Sequence, residues 1–396
     1  VREVGLRPEA APVLGRAVLS RHGPLALALA LACPSPARGD SSAEPAPLHR
    51  RRLVVDTHVH VGPGDVSRLH AILDAVGVDW VLNLSGLWPG GPLERQLAAA
   101  EASGRILVAT NLPWEAASRA DFPELAVGLL ERARALGARA LKVEKALGLM
   151  VTGPDGRLLA VDDPWLDPIW AAAGRLSLPV VIHTADPKAF WLPLDRFNER
   201  FEELSAHPAW SNHDKAVPSF EALLSALMRV VARHPRTTFV SVHFGNHAED
   251  PAWVGEQLDR HPNLRVDLAA RVPELGRHDA ARLRALFIRH RSRILFGTDL
   301  GLGRRGFLML GSHGKRPNRT EEIAPYFETT YAWLETAARG LPSPTPIQGR
   351  WTIDGLALPP DVLDDLYVNN AARVFGPPPR AALAGRGPPW FRLRLD

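Results

Sequence analysis

The chain has 396 residues, 46% of them apolar and 23% charged, with 11 Trp, which excludes an intrinsically disordered protein and provides for one barrel-sized domain or two smaller ones. Its formal charge of +4 does not describe the body: eight of the 47 basic residues and four of the 43 acidic ones fall within residues 1–52, so the remainder is balanced and offers no basic stripe to nucleic acid. Cys33 is the single cysteine, which excludes an internal disulfide and a thiolate metal site.

Residues 1–50 read as a signal peptide or lipoprotein leader with a linker. Arginines come first, then an apolar stretch from Pro24 to Ala32 too short to span a bilayer as a helix, then a Pro/Ser/Gly-rich spacer. Leu31-Ala32-Cys33 is similar to a lipoprotein cleavage box, so Cys33 is the expected point of lipidation and membrane anchoring. The expected location is periplasmic or cell-surface; a true start elsewhere would make the protein cytoplasmic.

From Leu53 onward, short apolar runs alternate with helical segments. The runs are 53–58, 79–84, 105–110, 139–144, 179–183, 237–243, 264–268 and 293–298, mostly continuous in apolar character, as for parallel strands covered on both faces. Between them the spacing predicts helices, clearest at 219–233, where Phe220, Leu223, Leu224, Leu227, Val230 and Val231 share one face, and at 123–136, closed by Gly137. Eight such alternations predict an α/β chain with a single-domain (β/α)8 TIM barrel over 51–376 and a C-terminal tail at 377–396. An open doubly wound sheet is disfavoured because no Gly-rich phosphate loop follows the first run. The long connections 146–163, 185–217 and 300–320 all follow strands, on the face where such barrels carry their sites.

Polar side chains that can bind a metal close several of these runs. His58 and His60 are two residues apart in a strand and so point the same way, offering two imidazoles to one ion. Lys142 lies in the fourth run, His183 ends the fifth, His243 the sixth, and Asp299 follows the eighth. Burying such groups costs several kcal/mol unless they are paired or liganded, and convergence at one end of a barrel supplies the partners. Asp186, Asn246, His247 and Arg271 follow strand ends and would face the mouth, Arg271 as a clamp for a substrate carboxylate. Trp165, Trp191 and Trp210 lie in the long loops and suit either a lid or ordinary packing. Lys142 has an alternative role as ion-pair partner of Glu144 or Asp56, and Lys145 reads as a loop residue.

The ordered set His-x-His, Lys, His, His, Asp resembles the amidohydrolase superfamily, closest to the amidohydrolase-related branch that includes aminocarboxymuconate semialdehyde decarboxylase. The resemblance runs from about Leu53 to Phe375 and includes Ile294–Asp299 and the closing segment Val368–Phe375. It implies that His58, His60, His183 and Asp299 bind a divalent metal, most often zinc. Asp299 would also take a proton from water. His243 would orient or deprotonate that water or bind a second metal, and Lys142 would bridge two ions. The activity implied is hydrolysis of an amide, ester or lactone-type bond in a small molecule. A metal-dependent decarboxylase on the same site and a non-catalytic surface lipoprotein are the alternatives. Oligomeric state is not legible.

Overall fold

The computed structural model describes His49 and residues 52–377; the leader with Cys33 and the end of the tail lie outside the described residues. Among the described residues, no helix is long and apolar enough to cross a membrane. Eight strands pair in parallel in chain order: β1 (Val55–Val61), β2 (Trp80–Asn83), β3 (Ile106–Thr110), β4 (Ala140–Val143), β5 (Val180–Ile182), β6 (Phe239–Ser241), β7 (Leu264–Asp267) and β8 (Ile294–Leu295). A helix follows each: α1 (Val66–Val76), α2 (Pro92–Ser103), α3 (Phe122–Leu136), α4 (Asp167–Arg175), α5 (Phe220–Arg233), α6 (Pro251–Arg260), α7 (Ala280–Arg289) and α8 (Ile323–Glu335). Gly137, at φ +108°, ends α3, and the Ser219 hydroxyl accepts from the Ala222 N–H to start α5.

The strands are covered on both faces, which explains their unbroken apolar runs. One layer packs outward against the helices. The inner layer includes Val55, Trp80, Leu82, Leu107, Ala109, Ala140, Val181, Val240 and Leu295, and Val368, Ala371 and Phe375 of the closing segment pack against it. Two residues further along, on the same inward face, come Lys142 and His183. An apolar floor thus gives way to a polar layer toward the C-terminal strand ends.

The eighth strand differs from expectation. Only Ile294–Leu295 of the 293–298 run is strand, and the 300–320 connection holds two more strands, β9 (Leu300–Gly303) and β10 (Phe307–Leu310), joined as an antiparallel hairpin. Asp299 at φ +63° interrupts the chain, and the two halves use different neighbours, β8 on β7 and β9 on β1. Across the break the Thr57 N–H donates to the Phe296 carbonyl (3.0 Å) and the Asp299 N–H to the His58 carbonyl (2.9 Å), so the curled sheet returns to its first strand. The Leu-Gly-Leu-Gly composition of β9 concealed it, since glycine is depleted in strands.

A bulge in β1 aims the strand. Leu53 and Val55 pack inward, yet Val59 and Val61 pack outward, and the register against β2 shifts between Asp56 and Val59. The extra residue moves the even positions, His58 and His60, to the inner face. Asp56, fully buried in the bulge, holds it: its carboxylate accepts from the His58 N–H (3.0 Å), the Thr298 N–H (3.1 Å) and the Thr298 hydroxyl. Burial pushes this carboxyl up to about 7 against those hydrogen bonds. Replacing Asp56 by Ala strands these donors, and we expect a loss of about 3 kcal/mol of stability, read as a lowered midpoint in denaturant unfolding with an unchanged slope.

Candidate metal centre

The polar layer is a row of touching groups across the strand ends. His60 Nε2 lies 3.6 Å from Asp299 Oδ1, and His58 Nε2 lies 3.5 Å from the same oxygen. The His58 ring is 4.9 Å from that of His243, which is 4.5 Å from that of His183. His183 Nε2 lies 3.9 Å from Asp186 Oδ1, and Lys145 Nζ donates to that oxygen at 2.8 Å. Ligand atoms of His58, His243 and Asp299 all lie within 4.8 Å of one another, the compact group in the row. His60 and His183 flank it on either side.

Each ring reaches the row through its backbone. His183 continues the inward alternation of Val181, and Asp299 that of Leu295. His243 does not. The inward residues of its strand are Val240 and Val242, so alternation would send His243 out toward the helices. Instead the chain turns left-handed from His243 to Asn246, with φ of +56°, +55°, +69° and +52°, and this brings the imidazole back to the centre. Three of those four residues carry side chains, each costing of order 1–3 kcal/mol in this conformation, a cost typical of functional sites.

Hydrogen bonds set the tautomers. His58 Nδ1 is 2.9 Å from Asp267 Oδ2, and His243 Nδ1 is 2.8 Å from the Ala269 carbonyl oxygen. A carbonyl accepts only, so Nδ1 of His243 carries the hydrogen and Nε2 keeps its lone pair; a carboxylate partner does the same for His58. His60 Nδ1 meets the Ser85 hydroxyl at 2.8 Å. Asp267 also accepts from the His243 N–H at 2.7 Å, so one buried carboxylate positions two rings. Sequence reasoning passed over Asp267 and Ser85. The signal for Asp267 was a lone acid inside an apolar strand, which must be satisfied by something.

The donor set fits a divalent ion. Two donors held about 2.1 Å from a tetrahedral ion sit roughly 3.4 Å apart, close to the separations at Asp299 Oδ1. His183 Nε2 is buried and has no hydrogen-bond partner, as a ring nitrogen intended for a ligand would be. Burial pushes the imidazoles of His60, His183 and His243 well below the usual range, helped by neighbouring positive groups such as Lys142 and Arg271. They stay neutral, the form that binds metal. Burial raises Asp299, opposed by His58, Lys142 and Arg271.

The remaining expected residues surround this row. Lys142 is buried, and among the described residues neither Glu144 nor Asp56 lies within ion-pair distance of it, while its charge acts on the nearby Asp299. Lys145 is a loop residue, as expected, and pairs with Asp186. Arg271 lines the same cleft, a cavity of about 120 Å³, donating to the Ala270 carbonyl (2.8 Å) and to Asn246 Oδ1 (3.5 Å). It has no carboxylate partner within ion-pair distance among the described residues, and burial, with Arg200 nearby, pulls it down to about 10. The Asn246 amide nitrogen is buried without an acceptor. His247 packs against Trp253 and Phe220 rather than at the row. Of the tryptophans, Trp210 lines the cleft, stacked on His207, whereas Trp165 packs on Phe122 and Trp191 on Phe220.

The 185–217 connection forms a fixed roof over the cleft. Arg200, fully buried, donates to Glu203 Oε2 (2.7 Å) and pairs with Glu274, and the Ser312 hydroxyl donates to Glu203. Arg277 reaches Glu199 and Arg350 reaches Glu202 on its outer side. Apart from the Arg200–Glu203 pair, three residues apart, these partners lie in separate segments of the chain that the sequence does not link.

The buried neutral rings make stability depend on pH. In the unfolded chain these histidines protonate near 6.5, whereas in the fold they resist protonation to lower pH, so the unfolded state takes up more protons. The contribution of these three rings is therefore full above about 6.5 and is lost as the pH falls below it, while Asp56 and Asp299, raised by burial, contribute in the opposite sense. We expect chelator-treated His183→Gln to be destabilised less than the unaltered chain, in relative terms, on going from pH 7.5 to pH 5, read as the difference of the two melting-temperature shifts in calorimetry.

Comparison with known proteins places this geometry. No curated protein matches the sequence. Among solved structures, an uncharacterized TIM-barrel protein from Bordetella bronchiseptica is similar at 15% identity, covering 83% of this chain and 99% of its own, with a TM-score of 0.49. A probable 2-pyrone-4,6-dicarboxylic acid hydrolase from Acinetobacter baumannii is similar at 12% identity, covering 82% and 99%, with a TM-score of 0.46. A 5-carboxyvanillate decarboxylase from Sphingomonas paucimobilis is similar at 14% identity over the same shares, with a TM-score of 0.46. The amidohydrolase family model matches residues 77–376, most of the chain. With its curled parallel sheet and the imidazole and carboxylate groups at the strand ends, this chain belongs to the amidohydrolase family, as a TIM-barrel member of the amidohydrolase superfamily.

Proposed function

We propose that the protein is a metal-dependent hydrolase that activates water to cleave an amide, ester or lactone-type bond in a small molecule bearing a carboxylate. The observation that carries this reading is the row of imidazoles with Nδ1 tied back, so that Nε2 of His58 and of His243 remains available beside Asp299. His58, His60, His183 and Asp299 would hold the metal and His243 would orient or deprotonate its water, with zinc our choice for neutral imidazoles plus one carboxylate. When bound, such an ion lowers the pKa of water toward ~7 and polarises a carbonyl.

The chain's own groups do the rest. Asp299, raised by burial, takes a proton from water and returns it to the leaving group. Asp267 keeps His58 and His243 oriented. Arg271, buried and without a carboxylate partner among the described residues, holds the substrate carboxylate, with the free Asn246 amide as a second donor. Asp186 fixes Lys145 at the cleft wall. One metal is the state we favour; Lys142, once carboxylated, would bridge a second. The leader proposed at residues 1–50 would put this activity outside the cytoplasm, and a lipid on Cys33 would tether it to a membrane surface.

Elemental analysis should give about one zinc per chain. On a panel of small esters, amides and lactones, Asp299→Asn should lower turnover by roughly 10³-fold with the metal retained. Carbon dioxide release without hydrolysis would instead assign a decarboxylase, and neither metal nor turnover would leave a binding module. Arg271→Lys should raise KM about 100-fold for carboxylate substrates while leaving their neutral methyl esters nearly unaffected.

A further inference from the structure

A second cavity, of about 450 Å³, opens at the same end of the barrel over the C-terminal ends of β2, β3 and β4. None of the residues in the metal row lines it. Its walls include Leu87, Trp88, Trp114 and Met150, with the carboxylates of Glu115 and Glu144 among them. Its volume lies within the roughly 300–1,000 Å³ of small-molecule sites.

The two cavities differ in their charges. The metal cleft is lined by Lys145, Arg200 and Arg271 together with Asp186, Glu203 and Asp299, whereas the second cavity is lined by carboxylates and no cationic side chain. Glu144 and Glu115 have no cation within ion-pair distance among the described residues, and the one side chain bonded to Glu144 is a neutral amide, Asn111 Nδ2 to Oε1 at 3.2 Å. Successive residues on one loop separate the two spaces: Glu144 and Ala146 face the second cavity and Lys145 the metal cleft. Trp114, itself 7% exposed, leaves its indole N–H without an acceptor. At the rim, Met150 is 72% exposed and Leu87 sits at φ +60°, an apolar side chain held in the left-handed region.

We infer that this cavity binds an organic cation, an ammonium or guanidinium group on an apolar or aromatic body. Glu144 and Glu115 neutralise the charge, and Trp88 and Trp114 cover the body and offer π-faces to the cation. The site is independent of the hydrolase reading and needs no metal.

Isothermal titration of the full chain with phenethylammonium, its neutral isostere 2-phenylethanol and the anion 3-phenylpropionate tests this inference. The cation should bind at least about 10-fold more tightly than the alcohol, with Glu144→Gln removing the difference. Binding of the cation should be unchanged in Asp299→Asn and after chelation. Equal binding of the alcohol, indifference to both Glu144→Gln and Glu115→Gln, or loss of binding on chelation would each overturn the inference. If Glu144→Gln proves unstable, Trp88→Leu serves in its place: it leaves both carboxylates and should weaken cation binding several-fold.

Discussion

A carboxylate with no access to water, Asp56, determines where the chemistry can sit. Strand alternation alone would send His58 and His60 outward into the helix layer. The bulge reverses the alternation part-way along β1, and Asp56 keeps it reversed by bonding to the His58 N–H on its own strand and to Thr298 on the segment that carries Asp299. Imidazoles and carboxylate are thereby referenced to one anchor. A second buried acid, Asp267, does the same for the rings of His58 and His243. Geometry at the mouth rests on these two acids beneath it.

Much of this was legible in the residues. The eight apolar runs located the parallel strands because both faces of each are covered, and Gly137 marked a helix end because its φ suits glycine. The polar residues closing several of the runs were legible for a related reason: a group that cannot be left buried alone implies a partner. His183 follows by alternation from Val181. His243 was legible as a type but not as a direction, since only the left-handed run beyond Val242 turns it inward. β9 escaped because its glycines obey the needs of the β9–β10 hairpin rather than strand propensity. The Arg200 network escaped because Glu274 and Ser312 reach Arg200 and Glu203 only through the tertiary fold.

The mouth of the barrel is divided electrostatically. Arg271, Lys145 and Arg200 give the metal side a positive lining, offset by Asp186, Glu203 and Glu274 wherever the fold supplies a partner. Arg271 has no ion-pair partner among the described residues, and in the proposed function it is the group that meets a substrate carboxylate. Across the loop at 144–146 the lining carries carboxylates and no cation. A peptide segment three residues wide thus separates opposite preferences on one face, so a single molecule with charges at both ends would feel a directional field across it.

The split eighth strand has a mechanical consequence. The sheet returns on itself through four residues, Phe296 to Asp299, held to β1 by isolated bonds instead of a continuous ladder. The joint that closes the barrel wall and the carboxylate beside the imidazoles are therefore the same piece of chain. Any local opening of this joint would shift Asp299 relative to the imidazoles while the other interstrand ladders remain whole.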